Sequence, residues 1–241
     1  MKNLLLFDVD NTLSISRGKV TEEMKELLAK LSKTYDLATV SGSDLPKMLE
    51  QLGSSAMYFR WLFTENGLVA YLDHQLAAPY HKTDIIKELG EDYYQRFVNR
   101  ALELISQTQL EKKRGTFVEL RNGLVNVCPI GRNCSQEERD AFEAYDKVHQ
   151  IRATMCRTLR KEFDDKLTFS IGGQISFDVF PYGWDKTYCL RFIHGKYDQI
   201  HFFGDKIVLG GNDYEIGNDV RVVSHSVTCW QDTYKLLETM L

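Results

Sequence analysis

Leu4-Leu5-Leu6-Phe7-Asp8-Val9-Asp10-Asn11-Thr12 runs from an apolar tetrad straight into two carboxylates one residue apart. So short an apolar run, closed by polar residues, reads as a buried strand of a parallel sheet. Ligands of open α/β sheets bind beyond the carboxyl ends of such strands. Two carboxylates placed there repel each other unless a cation lies between them. Mg²⁺, a hard ion that takes oxygen ligands and partners phosphates, is the cation expected. The same residues admit a plainer reading, an exposed turn in which Asp and Thr cap a helix.

The chain has 241 residues, enough for one large domain or two small ones. Its formal net charge of −4 argues against general nucleic-acid binding. No apolar stretch approaches the roughly 20 residues that span a membrane. The N-terminal apolar run leads into the acidic motif and not into a cleavage site, so no signal peptide is expected. Cys128, Cys134, Cys156, Cys189 and Cys229 are scattered without a CxxC pair, which predicts free thiols and a cytoplasmic location.

Strand and helix signals alternate up to about residue 80. Thr21-Glu22-Glu23 opens a helix with Leu27, Leu28 and Leu31 on its apolar face. Asp36 to Val40 reads as a second strand, ending at Ser41-Gly42-Ser43-Asp44, and a helix then runs through Leu52 to Gly53. Backbone N–H groups at that strand-to-helix junction suit a phosphate, or form an ordinary cap. Trp61-Leu62-Phe63 and Leu68 to Leu72 flank an Asn66-Gly67 turn.

The pattern changes near His81. Helices are predicted over about 82–90 and 92–108. Two hairpins follow, one around Arg121-Asn122-Gly123 and one joining Leu167–Ile171 to Gln174–Phe180. Between them Ser135-Gln136-Glu137-Glu138 is a capping box, and the run Phe142, Tyr145, Val148, Ile151, Met155, Leu159, Phe163 keeps helical spacing. Ile200 to Phe203, Val220 to Ser224 and a helix from Asp232 return to the α/β style. The fold class read here is α/β: a mostly parallel, Rossmann-like core of residues 1–81 and 186–241, interrupted by an α+β cap of residues 82–185 with an antiparallel sheet, a lid over a sheet-end site.

Arg121 lies at a hairpin tip, Arg132 follows Pro129-Ile130-Gly131, and Arg139 sits early in the helix opened by Ser135. A cation there opposes the helix dipole by up to about 1 kcal/mol, and a bound anion reverses that sign. Three solvated arginines remain the alternative.

The Asp8–Thr12 pattern resembles the nucleophile motif of the haloacid dehalogenase superfamily of phosphotransferases. The resemblance makes Asp8 the nucleophile and Asp10 the general acid/base. It assigns Ser41, Gly42 and Ser43 to the phosphate, and Lys186 to neutralising the transferring group. Asp205 in Gly204-Asp205-Lys206 completes a Mg²⁺ site with Asp8 and Asp10, supported by Asn212 and Asp213.

Arg114-Gly115-Thr116-Phe117, Arg121-Asn122-Gly123, Pro129-Ile130-Gly131-Arg132, Gln136-Glu137-Glu138-Arg139, Gly172 to Pro181, Gly183-Trp184-Asp185-Lys186 and Phe202-Phe203-Gly204-Asp205 resemble the eukaryotic-type phosphomannomutases, over essentially the whole chain. This resemblance implies that Arg17, Arg121, Arg132 and Arg139 clamp the phosphate that is not reacting, and that Ser176 and Asp178 contribute to substrate recognition. It implies a second cation site near Gly217 and Asp219, and a homodimer formed through the cap. The implied reaction interconverts mannose 6-phosphate and mannose 1-phosphate, and glucose phosphates also, with a hexose 1,6-bisphosphate as activator, supplying GDP-mannose synthesis and glycosylation. Hexose phosphates are then the partners, with no nucleic acid and no membrane. Asn11 and Ser41 stand where the family usually has Gly, and Gly217 where it often has Phe. A sugar phosphatase on the same fold, or a non-catalytic anion-binding module, remain the other functions; intact Asp8, Asp10, Lys186 and Asp205 argue against the module.

Overall fold

The computed structural model describes residues 2–77 and 84–241. Its strands are β1 (Leu4–Phe7), β2 (Asp36–Val40), β3 (Phe59–Thr64), β4 (Val69–Leu72), β5 (Gln75–Leu76), β6 (Val118–Leu120), β7 (Val125–Val127), β8 (Leu167–Ser170), β9 (Phe177–Pro181), β10 (Ile200–Gly204) and β11 (Val223–Ser226). The chain divides into two compact units, Met1–His81 with Gly183–Leu241, and Lys82–Tyr182. The junction that the sequence places at 81 and 82 lies outside the described residues. The other falls before Gly183 and not before Lys186. Residues 183–185 belong with the first unit because Asn66 Nδ2 donates to Trp184 O at 3.2 Å, and Asp185 Oδ1 accepts from the Thr187 N–H, capping the turn that carries Lys186.

The first unit holds one sheet in the order β11-β10-β1-β2-β3-β4-β5. Pairing is parallel from β11 through β3 and antiparallel for β3–β4 and β4–β5. β1 is buried on both faces: Leu5 and Phe7 enter one core cluster, Leu4 and Leu6 the other. That double burial is why its sequence shows no alternation. The Glu22–Leu31 helix, capped by Thr21, lays Met24, Leu27, Leu28 and Leu31 onto the cluster around Leu5 and Phe7. From β1 the chain winds outward through β2 and β3, and it returns to the opposite side of β1 with β10 and β11. β1 therefore stands at the switch point of the sheet, where a crevice opens at the carboxyl ends of β1 and β10.

The second unit holds an antiparallel sheet in the order β6-β7-β9-β8. Phe97 on the Glu91–Gln107 helix meets Phe163 on the Ile151–Phe163 helix edge-on at 5.6 Å, and Phe169 of β8 at 6.3 Å, so the helices cover this sheet. The capping box at Ser135 is formed in both directions, to and from Glu138.

Several predicted bounds differ; the last strand runs Val223–Ser226 and not Val220 to Ser224, and two further differences have clear local causes. The helical run from Phe142 to Phe163 breaks at Gln150, whose φ is +53°. The spacing restarts there, so Tyr145 and Val148 are exposed. Across the break a buried ion pair takes the inward place, Arg152 Nε to Asp146 Oδ2 at 2.7 Å. The second strand of the second hairpin begins at Phe177, not Gln174. Arg152 Nη1 donates to Gly173 O and Ser176 O and holds the preceding residues as a loop. Gly131 has φ +91°, and a Cβ there would collide with the Gly115 backbone oxygen, which ties the two glycine-bearing cap motifs together.

Cys128, Cys134, Cys156 and Cys189 are buried and free, and Cys229 is half-exposed. Burial pushes the Cys128 thiol up to about 11 and Cys156 up to about 12. An aromatic disulfide reagent at pH 8 should therefore titrate only Cys229 rapidly in the native protein, and all five thiols after unfolding. A second thiol reacting at the same rate would contradict this packing.

Candidate active site

Asp8 follows the last residue of β1, and its N–H donates to Phe203 O on β10 at 2.9 Å. Asp205 follows the last residue of β10. Because Phe7 and Phe203 are register partners, the two carboxylates emerge side by side at the sheet end. Asp213 reaches the same spot. Oxygens of Asp8, Asp205 and Asp213 all lie within 4.8 Å of one another. Gly204 makes this approach possible, since a Cβ on it would sit 2.7 Å from Asp213 Oδ2. Asp213 Oδ2 accepts from the Lys206 N–H at 3.1 Å, and Asp205 Oδ2 accepts from Asn11 Nδ2 at 3.0 Å.

Lys186, only 1% exposed, places its Nζ 2.5 Å from Asp8 Oδ1 and 2.6 Å from Asp213 Oδ1. Burial alone would lower its pKa; the carboxylates of Asp213 and Asp8 outweigh burial and hold the ammonium above the ordinary lysine value. Burial pushes Asp8 up to about 8, with Lys186 opposing and Asp213, Asp205 and Asp10 adding to the rise. Asp205 is raised by burial too, against Lys206 and Asn11.

With all three ionised, the carboxylates against one buried ammonium would carry a double negative charge in a confined site. Asn212 Oδ1 beside them is buried without a hydrogen-bond partner. An all-oxygen donor set of that charge fits Mg²⁺, and a divalent ion would bring Asp8 back to its carboxylate form. Asp10, which the sequence groups with the ligands, uses its Oδ1 to accept from the Arg17 N–H at 2.6 Å and from Gln51 Nε2 at 2.9 Å, so a ligand role would fall to its other oxygens.

Ser41 opens the loop after β2. Its Oγ accepts from the Ser43 N–H, while Asn66 N–H donates to Ser41 O and Glu65 N–H to Ser43 O. Gly42 and Ser43 are half-buried within this tied loop, which precedes the helix capped by Asp44. At the Gly217 and Asp219 position the Asp219 carboxylate is gripped by Arg221, Nε to Oδ1 at 2.8 Å and Nη2 to Oδ2 at 2.6 Å, and these bonds hold its pKa below the usual range. Each of its side-chain oxygens thus already accepts from Arg221.

In the second unit one sheet face carries a polar cluster. Glu119 Oε2 accepts from Arg121 Nη2 at 2.8 Å and pairs with Arg132 Nε at 2.9 Å. Arg139 Nη2 donates to Arg132 O at 2.8 Å. Asn126 accepts from Arg132 Nη1 and donates to Ser176 Oγ and Asp178 Oδ1. Arg121, Arg132, Arg139, Ser176 and Asp178 are thereby brought into one connected group; Arg17 belongs to the first unit.

A family model described as eukaryotic phosphomannomutase matches residues 24–241. The phosphomannomutase of Saccharomyces cerevisiae is 53% identical over 240 residues, covering 98% of this chain and 93% of its own. That of Spinacia oleracea is 52% identical over 96% of this chain and 93% of its own. The chain belongs to the eukaryotic phosphomannomutase family. Solved structures share its fold at low identity. An IMP-bound, N-terminally truncated IMP-nucleotidase of Plasmodium falciparum has a TM-score of 0.67 at 15% identity, over 99% of this chain and 68% of its own. A trehalose-6-phosphate phosphatase related protein has a TM-score of 0.53 at 14% identity, over 98% and 96%. The fold is the haloacid dehalogenase type, a mostly parallel core plus an antiparallel cap sheet.

Departures from the phosphomannomutase pattern have local reasons. Asn11 sits at φ +60°, a left-handed conformation that Gly favours and Asn tolerates. Gly217 has no room for a side chain, because a Cβ would lie 2.6 Å from Ile207 Cγ2. The contacts of three residues are not foreseen in the sequence. Asp213 reads as support for the metal site, Gln51 as a residue of the helix running through Leu52, and Asn126 as part of the hairpin around Arg121-Asn122-Gly123. A carboxylate two residues past a double glycine was the one available signal, and it pointed only to support.

Proposed function

We propose that this enzyme interconverts mannose 6-phosphate and mannose 1-phosphate, and accepts glucose phosphates, through an aspartyl-phosphate on Asp8. The observation that carries the reading is the Asp8–Lys186–Asp213 chain of contacts beside Asp205, in a member of the phosphomannomutase family. Lys186 binds one oxygen of Asp8 and leaves the other for phosphorus. The enzyme works from its phosphorylated form, so a hexose 1,6-bisphosphate is the activator. The hydroxyl of a bound monophosphate attacks phospho-Asp8: a P–O bond to the sugar forms, the bond to Asp8 breaks, and Asp10 takes the hydroxyl proton. The bisphosphate then turns end for end. Asp8 attacks its other phosphate, and Asp10 returns the proton to the departing sugar oxygen. Gln51 Nε2 and the Arg17 N–H orient Asp10 for both steps.

Bound Mg²⁺, held by Asp8, Asp10 and Asp205 with Asp213 in support, would neutralise charge on the phosphoryl oxygens. Ser41, Gly42 and Ser43 hold the reacting phosphate through hydroxyl and N–H groups. Arg17, Arg121, Arg132 and Arg139 hold the other one, since a guanidinium fork binds phosphate without reading which carbon bears it. Ser176 and Asp178 meet sugar hydroxyls. Family membership further supports a cytoplasmic homodimer joined through the cap, feeding GDP-mannose synthesis and glycosylation. Among the described residues no helix is long and apolar enough to cross a membrane.

The test is phosphorus NMR of mannose 1-phosphate with Mg²⁺, with and without hexose 1,6-bisphosphate. Mannose 6-phosphate should accumulate when the bisphosphate is present. Inorganic phosphate as the main product would replace this reading by a sugar phosphatase. Arg132→Ala should raise KM for mannose 1-phosphate about 10- to 100-fold, the worth of a charge-assisted hydrogen bond, with a smaller fall in kcat. An unchanged KM would remove Arg132 from the clamp.

A further inference from the structure

Asn126 is 3% exposed, in the middle of β7. Its register partners are Glu119 on β6 and Asp178 on β9, so one polar row crosses the sheet. Both donors and the oxygen of its carboxamide are engaged. Oδ1 accepts from Arg132 Nη1 at 2.7 Å; Nδ2 donates to Ser176 Oγ at 2.9 Å and to Asp178 Oδ1 at 2.7 Å. One buried amide therefore touches Arg132, Ser176 and Asp178, all three of which the proposed function gives to the substrate.

The chemistry of those bonds sets their polarity. An amide has donors on one side and an acceptor on the other, and a flip here would aim its NH₂ at a guanidinium and its oxygen at a carboxylate. The orientation is unique. Ser176 Oγ already accepts a hydrogen bond from Asn126, so its own hydroxyl hydrogen is left to donate. Asp178 keeps Oδ2 as a free acceptor. The neutral amide also stands between Asp178 and Arg132, whose Nε pairs with Glu119 at 2.9 Å, and so occupies the place where the two opposite charges could meet. A carboxylate in its place would bind Arg132 directly, repel Asp178 and withdraw both donors.

We infer that Asn126 is the positioning residue of the sugar-recognition face, fixing Ser176 as donor and Asp178 as acceptor and keeping Arg132 apart from Asp178 for a phosphate. The inference rests on the hexose-phosphate reading above. Asn126→Asp, nearly isosteric, is the first test. KM for mannose 1-phosphate should rise about 10- to 100-fold, as expected for unpaired polar groups, with kcat falling less than fivefold. Hydrolysis of p-nitrophenyl phosphate, which carries no sugar hydroxyls, should lose at least tenfold less in kcat/KM than mannose 1-phosphate does. In an Asp178→Ala background, adding Asn126→Ala should raise KM less than half as much as it does alone, because contacting residues are not additive.

An unchanged KM, or parallel losses on both substrates together with a lowered melting temperature, would overturn the inference. If Asn126→Asp does not fold, Asn126→Ser is read by the same criteria, and unfolding of both makes the residue structural and ends the proposal. Wild-type enzyme without hexose-phosphate turnover would instead defeat the functional reading itself.

Discussion

Asp8→Asn should lower turnover about 10⁴- to 10⁶-fold, the scale seen when a catalytic nucleophile is removed, while hexose-phosphate binding survives. The amide keeps the shape of the carboxylate but cannot form an acyl phosphate. The site should tolerate the change. Asp8 is 4% exposed, and burial already pushes its carboxyl up to about 8, so a neutral group there relieves charge crowding with Asp205 and Asp213. Lys186 keeps Asp213 as a partner at 2.6 Å. Three measurements check this: kcat with bisphosphate present, transfer of labelled phosphate from bisphosphate to the protein, and calorimetric binding of mannose 1-phosphate. Full activity, or labelling equal to wild type, would exclude Asp8 as nucleophile. Loss of binding along with activity would make it a ligand-holding residue.

Much of this site is legible in the sequence because its parts are local. Asp8 and Asp205 each follow an apolar run, and a carboxylate at a strand end needs no tertiary information to be noticed. The cap arginines stand on a turn, after a glycine and after a capping box, all short-range signals. What is not legible depends on contacts between distant segments. Asp213 joins Asp8 because Gly204 offers no Cβ and Lys186 draws both carboxylates inward. Gln51 meets Asp10 because the helix capped by Asp44 turns that one residue back toward the strand end. Asn126 sits in a Val-Asn-Val alternation that looks like any half-buried strand. The break at Gln150 has no glycine to mark it, so the helical spacing reads through a left-handed residue. Buried polar positions are where pattern reading stops, because their partners lie across the fold.

Lys186→Ala should cost both stability and rate. Its ammonium is the one cation that touches Asp8 and Asp213 among the described contacts, and all three side chains are almost wholly buried. Removing one member of a buried ionic cluster destabilises by about 3–5 kcal/mol, because the remaining charges keep their desolvation penalty without compensation. The carboxylates of Asp8 and Asp213 would then face each other, and the lost positive charge would no longer meet the developing charge of phosphoryl transfer. A preorganised electrostatic contact of that kind is worth about 10²- to 10³-fold in kcat. Urea unfolding in EDTA reads the first effect, and turnover at saturating Mg²⁺ and bisphosphate the second. Lys87→Ala is the control, since Lys87 is 65% exposed and its pair with Asp84 should matter by less than about 1 kcal/mol. If Lys186→Ala unfolds like the control and keeps kcat within a few fold, the lysine is neither a structural counter-charge nor a phosphate ligand, and the acidic triad must be balanced by the metal alone.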